Sequence, residues 1–285
     1  MKELLPLSPG NSSPGNSSPG YTSSGLLVSV KNLAEAEMIC SCGVDIIDLK
    51  NPENGSLGRA ETAVILQFLE RFGADHSLSF ALGELVDADE STETLILEKM
   101  KLCHGVLRQK PFVKYGLSKL VSPLDFVTNP HAGVCTGTVR WQDRLLSKFQ
   151  FWQDYSEPVL VGYADHLVAN SPALPEVVRF ACESPFRVVL IDTWKKGGGR
   201  SLLDLVKIDR LRSWIDLLHQ NNIRIALAGS LTLAQIRELW PLQLDWFALR
   251  GALCQSEQRN NQLDPQKVRE LVQHLQLLKS SQNFS

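Results

Sequence analysis

Two aspartates and three lysines sit where short apolar runs end. Asp48 and Lys50 close DIIDLK (45–50), Lys114 lies inside FVKYGL (112–117), and Asp192 ends the apolar part of RVVLIDT (187–193), with Lys196 four residues further on. Amines beside carboxylates are the equipment of imine chemistry. A lysine attacks a carbonyl only as the neutral amine, and an unperturbed lysine keeps its proton up to a pKa of about 10.4. Partial burial and nearby cations (here Lys114, Lys195 or Lys196) disfavour the ammonium form and so activate the nucleophile. Carboxylates at the same place can move protons during imine formation and enolisation. Taken singly, a strand-end lysine reaches solvent and an aspartate starts a turn. Several such residues converging on one level argue for chemistry instead.

Convergence depends on the elements that carry these side chains. Eight short β-rich runs are legible: 26–31, 45–50, 78–83, 112–117, 158–164, 187–193, 224–229 and 246–250. They are mainly apolar throughout, as strands buried on both faces of a parallel sheet must be. Amphipathic segments alternate with them. Ile65, Phe68, Leu69 and Phe72 have helical spacing, as do Ile208, Leu211, Ile215 and Leu218, and then Val268, Leu271, Val272 and Leu275. Start signals are predicted at Asn32 with Glu35, Thr232 with Gln235, Ser171-Pro172 and Asp264-Pro265. Eight strand–helix units in series predict an α/β fold, a (βα)₈ TIM barrel over 25–280. No G-x-G-x-x-G follows the first strand, which argues against a dinucleotide fold.

In such a barrel the active site lies at the C-terminal ends of the strands, and alternate strands feed one interior layer. Ile46, Asp48 and Lys50 share a face by two-residue parity, as do Phe112, Lys114 and Gly116, and Val188, Leu190 and Asp192. Strands two, four and six therefore bring two lysines and two aspartates to one level of the mouth. The seventh strand ends Ala228-Gly229-Ser230 before a helix, and the eighth ends Arg250-Gly251-Ala252. Loops at these two positions are the usual phosphate cradle, through backbone N–H groups and a helix N-terminus. Gly229, Ser230, Arg250 and Gly251 are the expected phosphate-binding set. Lys195-Lys196-Gly197-Gly198-Gly199-Arg200 lacks the order of a nucleotide P-loop and reads as a mobile basic loop that closes over a phosphorylated ligand. His166 is expected beside the substrate. The long connection at 118–140 has the length of a lid or binding element.

Bulk properties narrow the function classes. The 285 residues are 44% hydrophobic and 21% charged, enough for a sizeable core. A net charge of −2 offers no global attraction to nucleic acid or to an anionic membrane. Six dispersed cysteines fit a reducing compartment, and Cys40-x-Cys42 has no second pair to complete a metal site, so no metal is expected. No stretch approaches the roughly 18 apolar residues of a membrane span, and the start carries no signal-peptide run, so a cytoplasmic protein is expected. Residues 1–24 hold the repeated pentamer NSSPG (11–15 and 16–20) and read as a flexible Ser/Pro/Gly tail. A homo-oligomer is expected, since barrels often assemble through their helices.

The runs GVDIIDLKNPENGSLG (43–58), VKYGL (113–117), VGYAD (161–165), LIDTWKKGG (190–198), ALAGSL (226–231) and ALRGALC (248–254) resemble the (5-formylfuran-3-yl)methyl phosphate synthase family of methanofuran biosynthesis. The resemblance implies a Schiff-base lyase of one-carbon-carrier biosynthesis that condenses two glyceraldehyde 3-phosphate molecules, with no metal or organic cofactor. It implies Lys50 as the imine-forming lysine and Asp48 as its proton-transfer partner. Lys114 becomes an acid/base lysine, and Asp192 with Lys196 a second acid/base pair. The Ser/Pro/Gly tail, the 118–140 connection and Trp194 depart from the family's compact archaeal pattern. The residues themselves leave open another Schiff-base aldolase acting on a sugar phosphate, or a barrel that binds a phosphorylated ligand without catalysis.

Overall fold

A computed structural model describes residues 24–121, 140–196 and 200–282. The N-terminal tail up to residue 23, most of the long connection after the fourth strand and the three glycines 197–199 lie outside the described residues.

The eight apolar runs form β1 (Gly25–Val30), β2 (Ile46–Leu49), β3 (Leu78–Glu84), β4 (Phe112–Gly116), β5 (Glu157–Tyr163), β6 (Val188–Asp192), β7 (Arg224–Leu227) and β8 (Trp246–Leu249). Each pairs in parallel with the next, and β8 returns to β1, so the sheet closes as a (βα)₈ barrel. Closure leaves no free edge, and every strand is buried on both faces because helices cover the outside. The covering helices are α1 (Leu33–Ile39), α2 (Thr62–Phe72), α3 (Glu90–Cys103), α4 (Trp141–Trp152), α5 (Leu174–Glu183), α6 (Ile208–Gln220), α7 (Leu233–Leu239) and α8 (Pro265–Gln282), with an extra turn at His166–Ala169.

The predicted apolar stripes are the ones that face inward: Ile65, Phe68, Leu69 and Phe72 are buried, as are Leu211, Ile215 and Leu218. Three start signals act as the residue types suggest. Asn32 accepts from the Glu35 N–H at 2.9 Å, Thr232 and Gln235 cap reciprocally, and Asp264 accepts from the Gln266 N–H at 2.9 Å. Ser171-Pro172 does not begin a helix, because α5 starts at Leu174 with Ala173 as its cap and a proline in its first turn. The chain first spends the turn 166–169 before it can descend.

Inside the barrel, alternate residues pack on one another: Ile46, Phe112, Val188, Leu190, Leu27, Val159 and Ala226 belong to one buried cluster. The bottom is plugged by Phe112 and Trp246, edge to face at 5.7 Å, with the Arg224 guanidinium over both rings. With the lower layers filled by apolar groups, polar side chains of the same parity must stand toward the C-terminal mouth.

Candidate active site

The lower tier of the site is a buried ion pair. β1 and β2 are in register with Ser29 opposite Asp48, and β2 and β3 with Asp48 opposite Ser79. That registry puts two hydroxyls beside one carboxylate. The Ser29 Oγ donates to Asp48 Oδ2 at 2.9 Å, and the Lys114 Nζ donates to Asp48 Oδ1 and to Ser79 Oγ at 2.9 Å. Asp48 and Lys114 are 1% and 2% exposed, so neither charge has water for company. Burial by itself would raise the Asp48 carboxyl. The charges of Lys114 and Lys50, with the hydrogen bonds from Lys114 and Ser29, outweigh it and hold the group below its ordinary 3.8.

The upper tier lines an open cavity of about 1120 Å³ at the barrel mouth, to which Lys50, Asp192 and Lys196 all contribute. Asp192 is held from three sides. It accepts from Lys196 Nζ at 2.6 Å, from the Thr193 N–H at 2.8 Å and from Ser56 Oγ at 2.7 Å. Burial opposes its charge, yet Lys196, Lys50 and the hydrogen bonds bring it down to about 2, so it is a carboxylate at neutral pH. Burial is also the largest influence on Lys196, and it lowers that amine despite the attraction of Asp192.

Lys50 differs from the other two lysines. Its backbone N–H continues the β1 ladder by donating to Val30 O at 2.9 Å, but among the described residues its Nζ has no hydrogen-bond acceptor. It is only 9% exposed. Burial drives its pKa from 10.5 to about 8; Asp48 and Asp192 pull upward, while Lys196 and Lys114 push it down further. Both carboxylates near Lys50 are already occupied by another lysine, which is why they fail to restore its ordinary basicity. The expected cluster is therefore brought together, in two tiers and not in one layer: Asp48–Lys114 beneath, Lys50 and Asp192–Lys196 at the cavity wall.

The loops that frame this wall are tied down. Asn51 N–H donates to Gly58 O at 2.8 Å, closing the loop after β2, and a Cβ on Gly58 would stand 2.1 Å from Asn51 O. Only glycine allows that closure, and the closure carries Ser56 under Asp192. Asp165, after β5, accepts the backbone N–H groups of Trp194 at 2.6 Å and Lys195 at 2.8 Å, fixing the start of the loop that bears Lys196. Tyr163, fully buried and raised well above its ordinary pKa mainly by burial, donates to Glu84 Oε1 at 2.9 Å. Glu84 borders the cavity. Ser29, Ser56, Ser79 and Glu84 escape a reading of sequence, since serines and a lone glutamate carry no spacing signal. His166 is not among the residues that border the cavity among those described.

Gly229, Ser230, Arg250 and Gly251 all border the cavity that Lys50 also lines. Gly229 and Ser230 take φ of 100° and 54°, left-handed values in succession. Among the described residues, the N–H groups of Gly229, Ser230, Leu231, Gly251 and Ala252 donate to no acceptor in the chain. Unengaged amides in a concave wall suit an anion. The Arg250 side chain corrects the expected set. Its Nε donates to Arg259 O at 2.6 Å, Nη1 to Glu35 at 2.7 Å and Ser29 O at 2.9 Å, and Nη2 to Glu35 at 3.2 Å and Asn261 O at 3.1 Å. All its donors are spent on the fold, so the guanidinium has none left for a ligand. The reason is burial at 6% exposure, which demands the Glu35 counter-charge.

Comparison with known proteins places the chain in a family. A family model described as 4-HFC-P synthase matches residues 26–272. (5-Formylfuran-3-yl)methyl phosphate synthase of Methanococcus maripaludis strain S2 is 31% identical over 252 residues, which is 87% of this chain and 97% of that protein. The enzymes of the same name from Methanopyrus kandleri and Methanothermobacter thermautotrophicus are 31% and 28% identical, covering 82% and 88% of this chain and 91% and 98% of theirs. Among solved structures, phosphoribosyl anthranilate isomerase from Thermus thermophilus matches with a TM-score of 0.54 at 16% identity, over 89% of this chain and 99% of that one. 3-Keto-L-gulonate-6-phosphate decarboxylase from Vibrio cholerae matches with 0.51 at 11%, again over 89% and 99%. These two likenesses concern the fold alone. The profile match and the full-length relatives go further: the chain belongs to the 4-HFC-P synthase family of enzymes.

Proposed function

We propose that this protein is a Schiff-base lyase that forms (5-formylfuran-3-yl)methyl phosphate from two molecules of glyceraldehyde 3-phosphate, in the synthesis of a methanofuran-type carrier. The observation that carries the reading is Lys50: a desolvated amine at the cavity wall, with a pKa of about 8 and no acceptor for its Nζ among the described residues. At neutral pH about a tenth of such a group is the free amine, against well under a thousandth for an ordinary lysine.

In this reading one triose phosphate is isomerised to the ketone and captured by Lys50. The amine adds to the carbonyl carbon, and water leaves as the C=N bond forms. Asp48 and Asp192, both ionised, accept protons; the ammonium groups of Lys114 and Lys196 donate them. Loss of an α-proton to a carboxylate gives an enamine, whose carbon adds to the aldehyde of the second triose phosphate. Elimination of one phosphate, ring closure with release of Lys50 and dehydration then give the furan. Overall, two triose phosphates yield one furan aldehyde phosphate, one phosphate and two waters. The steps exchange protons among groups already paired in the site. The backbone N–H groups at 229–231 and 251–252 would hold a phosphate.

Borohydride reduction in the presence of glyceraldehyde 3-phosphate is expected to leave a covalent adduct on Lys50, found by peptide mass spectrometry. Without reductant, the same mixture is expected to develop a new conjugated ultraviolet absorbance. An aldolase with another product would trap the adduct and make no chromophore. No adduct with either triose phosphate sinks the covalent mechanism, and so would a Lys50→Arg variant that retained turnover, since guanidinium cannot form the imine.

A further inference from the structure

The cradle of amides lacks the side-chain charge that Arg250 was expected to bring. A second arginine lies nearby. Arg259 sits in the connection between β8 and α8, borders the same cavity and is half-buried. Its Nη2 donates to Gly55 O at 3.1 Å, so the guanidinium reaches from the eighth loop to the second. A Cβ placed on Gly251 would lie 3.9 Å from the Cβ of Arg259, which puts this arginine beside the free amides of 251 and 252.

The two arginines are opposite in their bonding. Arg250 has Glu35 and three carbonyls; Arg259 has the single carbonyl and, among the described residues, no carboxylate within 4.0 Å. A guanidinium at a cavity wall with most of its five donors unengaged by the chain is free to take an anion. Its electrostatics agree. Burial is the main influence and brings the guanidinium below its usual 12.5; Asp192 opposes this and Arg250 adds to it. Arg250 also sets its position, by holding Arg259 O and Asn261 O from a base anchored on Glu35 of α1. A cation fixed in place before the ligand arrives loses little freedom on binding.

We infer that Arg259 receives the phosphoryl group of the substrate, supplying the planar two-pronged contact that completes the amide cradle of the seventh- and eighth-strand loops. This rests on the reading above that the substrate is phosphorylated. A phosphoryl group fits better than a carboxylate. Its three terminal oxygens can take the fork of an arginine and backbone N–H groups together. Arg250 is then a positioning residue and Arg259 the one that touches the ligand.

The test uses the full-length protein, with Arg259→Ala and Arg259→Lys. Calorimetric titration with inorganic phosphate is expected to show affinity falling about ten- to a hundredfold in R259A, the range for losing a charge-assisted hydrogen-bond pair. R259K should recover part of it, having the charge and not the fork. Equal affinity in R259A and wild type, at unchanged melting temperature, overturns the assignment. Borohydride trapping supplies the second arm. R259A should raise the half-saturating concentration of glyceraldehyde 3-phosphate and leave trapping of unphosphorylated glyceraldehyde unchanged. An equal loss for both aldehydes means that Arg259 acts on the lysine and not on phosphate, and also overturns it. If the wild type traps neither aldehyde, the Schiff-base reading falls, and the phosphate titration alone decides the role of Arg259.

Discussion

Replacing Lys50 with methionine should make the protein more stable at neutral pH. Methionine keeps an unbranched chain of similar length and removes the charge. In the fold the Lys50 pKa is about 8, against 10.5 for the free side chain. Shifting a proton equilibrium by that much corresponds to about 3 kcal/mol. Since the folded-state value is depressed, the folded protein bears this whole penalty below about pH 8, where both states are protonated. Between about 8 and 10.5 the folded state releases the proton and the unfolded chain keeps it, so wild-type stability rises with pH through that window. Above it both are neutral and the penalty is gone. Urea denaturation of wild type and K50M at pH 7 and pH 10 measures the difference. K50M should be favoured by about 3 kcal/mol at pH 7 and by much less at pH 10. A K50M protein less stable than wild type at pH 7, or an advantage that ignores pH, refutes the claim that Lys50 is a desolvated, destabilised amine.

Three further outcomes follow from the same contacts. In Lys196→Met the pH midpoint for amine labelling of Lys50 should rise above about 8, because a like charge is removed and Asp192 is left to attract the proton; a midpoint that stays or falls contradicts the electrostatics. Lys114→Met leaves the Asp48 carboxylate buried without its direct cation and should cost about 3–5 kcal/mol in chemical denaturation, with Glu35→Gln doing the same to Arg250; near-neutral variants would mean that these pairs are wet. Ser56→Ala removes a 2.7 Å donor from Asp192 and should raise that carboxyl from about 2, seen by carbon NMR titration of the side chain. An unmoved Asp192 would show that the loop after β2 does not tune the site.

The architecture was legible because it rests on local rules. Parallel strands buried on both faces are mainly apolar on both parities, and the eight runs in the sequence match the eight strands within two residues at either end. Parity within a strand is equally local, so Asp48 with Lys50, and Lys114 and Asp192 as their counterparts, could be read from spacing. Ser171-Pro172 shows where such rules stop. The pair has the composition of a helix start, but α5 begins after it, at Leu174, with Ala173 as its cap and another proline in its first turn.

Sequence by itself therefore determined which side chains point inward and at which ends of which strands. Distance and partnership belong to the tertiary structure. Only the pairing of β1 to β4 side by side sets Ser29 and Ser79 against Asp48 and Lys114, and only the folded loop after β2 brings Ser56 to Asp192. Which arginine spends its donors on the fold and which keeps them was likewise undecidable from type and spacing: nine residues separate them, both follow β8 and border the cavity, and Glu35 on α1 claims one. The physical reason is common to all these cases. A charge or hydroxyl acquires its chemistry from burial and from the partner that meets it there, and both are supplied by residues distant in the chain.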